Sequence, residues 1–176
     1  MNQKSGILSL CANQIFNDNE FSWFDYKDSF DLRLVLQKCV YLMECFGVDL
    51  GYRYNWYIRG PYCPDLTEDA FEIINNQDAL AEYCKNWSLT DKSKLVINKM
   101  KQWIEENKPE QLEQKDWLEL LASLHYINHN KYLQNKNKDS VINHLLEVKD
   151  WYDRNTVIYA YGVLEEVGLI ENSTLS

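Results

Sequence analysis

The chain has little of what builds a phosphate loop, a disulfide framework or a membrane span. Its 176 residues include only six glycines and three prolines, and no glycine-rich run is present that could wrap a phosphate. Five cysteines, Cys11, Cys39, Cys45, Cys63 and Cys84, form no CxxC pair and no regular framework; with no export signal, such an odd set reads as reduced thiols in a cytoplasm. No apolar run approaches the ~20 residues that cross a bilayer, and the N-terminus lacks a basic-then-apolar secretion signal. The expectation is a soluble, cytoplasmic protein with no membrane partner.

Positive charge is scarce as well, with 18 Lys and Arg against 27 Asp and Glu and a net charge of −9. The deficit lies in the first half, where residues 1–84 carry six basic against thirteen acidic residues. Such a chain repels phosphate overall, so a nucleic-acid partner needs a local basic patch. The candidates are Lys92, Lys94, Lys99 and Lys101, and Lys131, Lys136 and Lys138. The plainer reading of both groups is a solvated helix face and a solvated loop.

Aromatic residues, by contrast, are plentiful: twelve Tyr and six Trp suit a packed core and an interface alike. From Asp31 to Phe46 the apolar positions Leu32, Val35, Leu36, Cys39, Leu42, Met43 and Phe46 recur at three- and four-residue steps. This predicts a helix with one buried face, capped by Asp28 or Ser29 and closed by Gly47. Next comes YRYNWYIRGPYCPDLTEDA, Tyr52 to Ala70. Tyr52, Tyr54, Trp56 and Ile58 alternate with Arg53, Asn55, Tyr57 and Arg59, which predicts a half-buried strand with the first set inward. Gly60-Pro61 reads as the tight turn that ends it, and Pro64 as the first turn of a helix whose positive end is met by Asp65, Glu68 and Asp69.

Further helices are predicted from Asp91 to Glu106, capped by Thr90 and burying Leu95, Val96, Met100, Trp103 and Ile104, and from Pro109 onward with Trp117, Leu118, Leu121, Leu124 and Ile127 as its stripe. After the polar linker HNKYLQNKNKDS come Ser140–Trp151 and Asn155–Val167. Residues 78–89 read as either a short strand or a helix end. The chain is taken as a single domain over 1–176, with a core over 31–110 that holds the GPY turn and a helical C-terminal part over 111–170.

The run LRLVLQKCVYLMECFGVDLGYRYNWYIRGPYCPDLTEDAFEI resembles the YwgA-like family of bacterial and archaeal proteins, whose pattern is LQK-x-VYL followed by alternating aromatics and GPY-x-P-x-L-x-x-D. The likeness continues through LELLASLHYI and LLEVKDWYDRNTVIYAYGVLEEVGLI, covering roughly residues 31–170. A more distant likeness is to the Panacea domain of SocA-like antitoxins, in which Tyr usually stands at the position of Arg59. That second resemblance implies a protein that neutralises a toxin or a defence effector.

Residues able to carry chemistry are few. His125 and His129 stand four apart on a predicted helix, a spacing that can hold a metal, but the Glu of a metalloprotease helix is missing between them; His125 also reads as a histidine at the edge of the core. Cys63, just before a helix start where a thiol pKa can fall, reads more simply as a helix-start residue. No GxSxG signature is present. No metal and no cofactor are expected, and an enzyme is not supported. The polar side of the strand remains: Arg53, Tyr57, Arg59 and Tyr62 are residue types that dominate protein interfaces. The plainer alternative is that the arginines pair with Asp65 or Asp69.

The reading is therefore a mainly α fold with a small β-ribbon, an α+β chain with a winged-helix-like core and a helical C-terminal part. Its expected role is a non-enzymatic protein-interaction module, antitoxin-like or regulating a neighbouring toxin or defence effector. The alternative is a winged-helix transcription regulator using Lys92, Lys94, Lys99 and Lys101 against nucleic acid.

Overall fold

The computed structural model describes residues 2–16, 21–130, 133 and 136–171. It is mainly helical, with one small two-stranded antiparallel sheet. The chain divides into two compact units, Met1–Lys108 and Pro109–Ser176. The first holds α1 (Gln3–Ile15), α2 (Trp23–Tyr26), α3 (Phe30–Cys45), β1 (Asn55–Tyr57), β2 (Gly60–Tyr62), α4 (Pro64–Asn75), α5 (Gln77–Tyr83) and α6 (Asp91–Asn107). The second holds α7 (Gln114–His129), α8 (Lys138–Val148) and α9 (Arg154–Glu166).

Helix starts follow the capping residues in the sequence. Ser29 Oγ accepts the backbone N–H of Leu32 at 3.1 Å to open α3, and Thr90 Oγ1 accepts that of Ser93 at 3.1 Å to open α6. Such side chains satisfy donors that the first turn leaves without a partner. Pro64 stands in the first turn of α4, where its missing N–H costs nothing. After α3, Gly47 takes φ +109°, the left-handed conformation that commonly ends a helix. Residues 78–83 fall within α5, so that ambiguous segment is helical there and not a strand.

Several expectations are corrected. β1 is three residues long, and the inward alternation stops at Trp56: Ile58 is 88% exposed. The reversal is made by Ile58 and Arg59, and GPY is itself the second strand, pairing Asn55 with Tyr62, Trp56 with Pro61 and Tyr57 with Gly60. Because neither turn residue has a positive φ while Gly60 has φ +86°, the connection fits a type I turn followed by a left-handed glycine, not a primed turn. Leu95 of α6 is 55% exposed and Ile97 is buried in its place. The helix expected to start at Pro109 starts at Gln114. Asp69 lies beyond the first turn of α4 and is buried: its carboxylate accepts from Tyr52 Oη (2.8 Å), Asn2 Nδ2 (2.8 Å) and Ser5 Oγ (3.1 Å). It therefore ties α1 to α4 and the strand approach, and is not the arginine partner considered for it.

In the second unit α7, α8 and α9 each pack against the other two around Trp117, Leu121, Leu124, Leu145, Val157 and Leu164, all fully buried. A buried ion pair, Lys149 Nζ to Glu119 Oε1 at 2.6 Å, joins α7 to the residues just after α8.

Candidate functional site

β2 packs on α3, and between the two and α4 opens a cleft of about 580 Å³, within the range of ligand-binding cavities. From α3 it takes Phe30, Arg33, Leu34, Gln37 and Lys38. These positions step by three and four and so share one helix face. The hairpin contributes its turn with Tyr57 and Tyr62, and α4 contributes Thr67 and Phe71 one turn apart.

Two adjacent polar residues of α3 anchor the hairpin over this face. The side-chain amide of Gln37 donates to the Cys63 carbonyl at 2.8 Å and to Thr67 Oγ1 at 3.0 Å, while its oxygen accepts the Cys63 N–H at 3.0 Å. Lys38 Nζ donates to the Pro61 carbonyl at 2.6 Å. Both side chains are buried, at 2% and 1% exposure. They do for β2 what a third strand would do, satisfying backbone groups that burial would otherwise leave open. Sequence reasoning placed only one buried face on α3; the second, Leu34–Gln37–Lys38–Tyr41, is also buried because the returning strand covers it.

Of the four interface candidates, Tyr57, Arg59 and Tyr62 line the cleft. Arg53 is exposed just before β1 and does not. Tyr57 and Tyr62 lie diagonally on one sheet face, with ring centroids 5.0 Å apart and edge to face, a stabilising arrangement. Tyr62 Oη and Thr67 Oγ1 share a hydrogen bond of 2.9 Å. The Arg59 guanidinium lies 5.9 Å from the centroid of the Phe30 ring, at cation–π range. Arg33 is oriented by donating to the carbonyls of Tyr26 (3.3 Å) and Lys27 (2.7 Å).

The charged residues that line the cleft are basic. Residues 1–84 hold six basic residues and thirteen acidic ones, yet Arg33, Lys38 and Arg59 line the cleft and none of the described acids does. Its rim is apolar and wet, with Ile58 88%, Phe30 53% and Tyr57 48% exposed. Comparison with protein-family models, curated proteins and solved structures gave no match. The site has to be read from its own chemistry.

The other candidates separate. Lys92 and Lys99 are seven residues apart on α6, as are Lys94 and Lys101; a seven-residue step returns to within about 20° on a helix, and the two pairs fall on opposite sides of it. Lys101 is spent on the Gln14 carbonyl at 3.1 Å. The four lysines therefore form no single patch. Lys131 lies outside the described residues, and Lys138 sits 3.8 Å from Glu165.

His125 and His129 do share a face, but their rings stack at 4.0 Å with planes 18° apart, and His129 Nδ1 is 3.1 Å from the His125 carbonyl. In-plane lone pairs of near-parallel rings do not converge on one metal at about 2.0–2.1 Å. Among the described residues no group of three His, Cys, Asp or Glu side chains is placed to hold a metal. Burial, and then the neighbouring His129, holds the His125 pKa down to about 3.

Burial pushes the thiols of Cys11 up to about 11 and of Cys39 and Cys45 up to about 12, so these behave as small apolar residues. Cys63 is 1% exposed at the cap of α4. Among the described residues no helix is long and apolar enough to cross a membrane.

Proposed function

We propose that the protein is a non-enzymatic interaction module that docks another protein on the hairpin face of its first unit. The observation that supports this best is the concentration of arginine and exposed apolar side chains on one cleft of an otherwise acidic unit. Arginine and aromatic residues around a pocket are the usual makings of a binding hot spot. On this reading the order α3, hairpin, α4 is a winged-helix-like core turned to protein contact and not to phosphate, in a cytoplasmic protein. The resemblance to antitoxins gives the partner its class, a toxin or defence effector that the module neutralises or regulates.

The test is to tag the protein in its own host, treat the lysate with nuclease, and quantify what is retained by mass spectrometry. One stoichiometric protein is expected, lost when Arg53→Ala, Arg59→Ala and Tyr62→Ala are combined in a variant that still melts cooperatively. Unchanged capture by that variant would show that the surface is wrong. Retention that nuclease abolishes would move the protein to nucleic-acid binding.

A further inference from the structure

We propose that the inside of the cleft between α3, the hairpin and α4 binds an uncharged aromatic small molecule. This goes beyond the interaction reading and does not rest on it. A protein partner meets the exposed rim, and the small molecule fills the cavity within it.

Size and lining point to that class of ligand. The cavity of about 580 Å³ lies in the range that holds drug-sized molecules. Phe30 and Leu34 line it from one face of α3, Tyr57 and Tyr62 from the hairpin, and Phe71 from α4. Four of those five side chains are rings, and they come from three separate elements. A flat ring that enters among them loses apolar surface to each wall and meets aromatic faces or edges. Phe30 and Tyr57 are about half exposed, so apolar surface remains in water until the cleft is filled.

The polar side chains of the same lining decide the charge of the ligand. Those of α3, α4 and the turn are already engaged within the protein. The Gln37 amide is bonded to Cys63 and Thr67, and the Lys38 ammonium donates to the Pro61 carbonyl. Thr67 Oγ1 also shares a hydrogen bond with Tyr62 Oη. Arg33 donates to the carbonyls of Tyr26 and Lys27, and Arg59 lies over the Phe30 ring and is likewise engaged. A charged ligand of either sign must break into one of these contacts or be buried without a partner, and both are costly. A neutral ring does neither. The bonds from Gln37 and Lys38 to the backbone of Cys63 and Pro61 also fix the hairpin wall before the ligand arrives, so little ordering opposes binding.

The experiment titrates the isotope-labelled full chain with indoleacetamide, indoleacetate and tryptamine, three probes that share one ring system and differ in charge. Indoleacetamide should shift the resonances of Leu34, Thr67 and Phe71 saturably, with a Kd below about 1 mM. The anionic and cationic probes should bind at least about tenfold more weakly. Leu34→Trp, which fills the cavity, and Phe30→Ala, which removes part of a wall, should each weaken indoleacetamide at least about fivefold. Phe30 is half exposed, so its variant should fold even where Leu34→Trp does not. Trp151→Ala, in the second unit, should bind like the parent. Equal or tighter binding of a charged probe overturns the proposal, as do shifts confined to other residues, binding that survives both cleft substitutions, or no saturable shift with any probe. Shifts at Leu34 and Phe71 that grow with protein concentration in the absence of probe would show a second copy in the cleft and also overturn it. Capture from the host lysate is a separate readout: its failure counts against the partner surface and leaves the titration unchanged.

Discussion

Gln37 and Cys63 hold each other by two reciprocal hydrogen bonds, the side-chain amide of one spanning both backbone groups of the other at 2.8 and 3.0 Å. A side chain that imitates a strand partner is the means by which α3 fixes the hairpin, and with it the cleft. Replacing Gln37 by Met keeps the volume but leaves the buried N–H and C=O of Cys63 without this partner. The expected cost is about 2–4 kcal/mol, read from the midpoint of urea unfolding, together with loss of binding at the hairpin.

Glu44 supplies a pH dependence. Its Oε1 accepts the N–H groups of Leu50 and Tyr52 at 3.2 and 3.1 Å. Burial is the largest influence on it and Asp49 adds repulsion, against the two backbone bonds and Lys4, so that its pKa rises from 4.5 to about 7. The folded chain thus holds a proton that the unfolded chain releases, and stability falls as pH rises from about 4.5 to about 7. Glu44→Gln keeps the acceptor and removes the titration. Its melting temperature should be flatter across that window than the parent's, and the variant should compare most favourably with the parent above pH 7.

The two motifs that the sequence displays most clearly, LQK and GPY-x-P, meet at Gln37–Cys63 and Lys38–Pro61. The sequence predicted the elements around them well: Ser29 and Gly47 bracket α3, and Pro64 opens α4. Of the interface residues it suggests, Tyr57, Arg59 and Tyr62 line the cleft and Arg53 does not. What it hid is tertiary. Gln37 and Lys38 are polar residues on a helix, and periodicity alone assigns such residues to water; only the return of β2 buries them. Alternation predicts Ile58 inward, but it runs into a turn whose two residues, Ile and Arg, are not turn formers. Gly60 was the available signal, and its positive φ belongs after the turn and not within it.

In the second unit, Lys149 and Glu119 are both fully buried. Removing one charge, as in Lys149→Met, strands the other and should cost about 3–5 kcal/mol. The paired replacement Glu119→Leu with Lys149→Met should recover most of that loss. A double-mutant cycle by denaturant unfolding measures the coupling.

Gly6 lies inside α1, where alanine would ordinarily stabilise a helix by roughly 0.5–1 kcal/mol. Here a methyl group would come within 2.6 Å of Cys84 Sγ and 2.9 Å of the Trp87 ring. The thiol can rotate away, but the bulky indole edge must also shift, so overpacking of about 1–3 kcal/mol outweighs the helix gain. Gly6→Ala is expected to lower the melting temperature.

The central claim is that partner proteins dock on the cleft between α3, the hairpin and α4. Amide hydrogen exchange of the protein, alone and with its captured partner, tests it most directly. The account predicts that added protection is concentrated in residues 57–62 and in the first half of α3, with α6 unchanged. Protection confined to α6 or to residues 109–171 would contradict it.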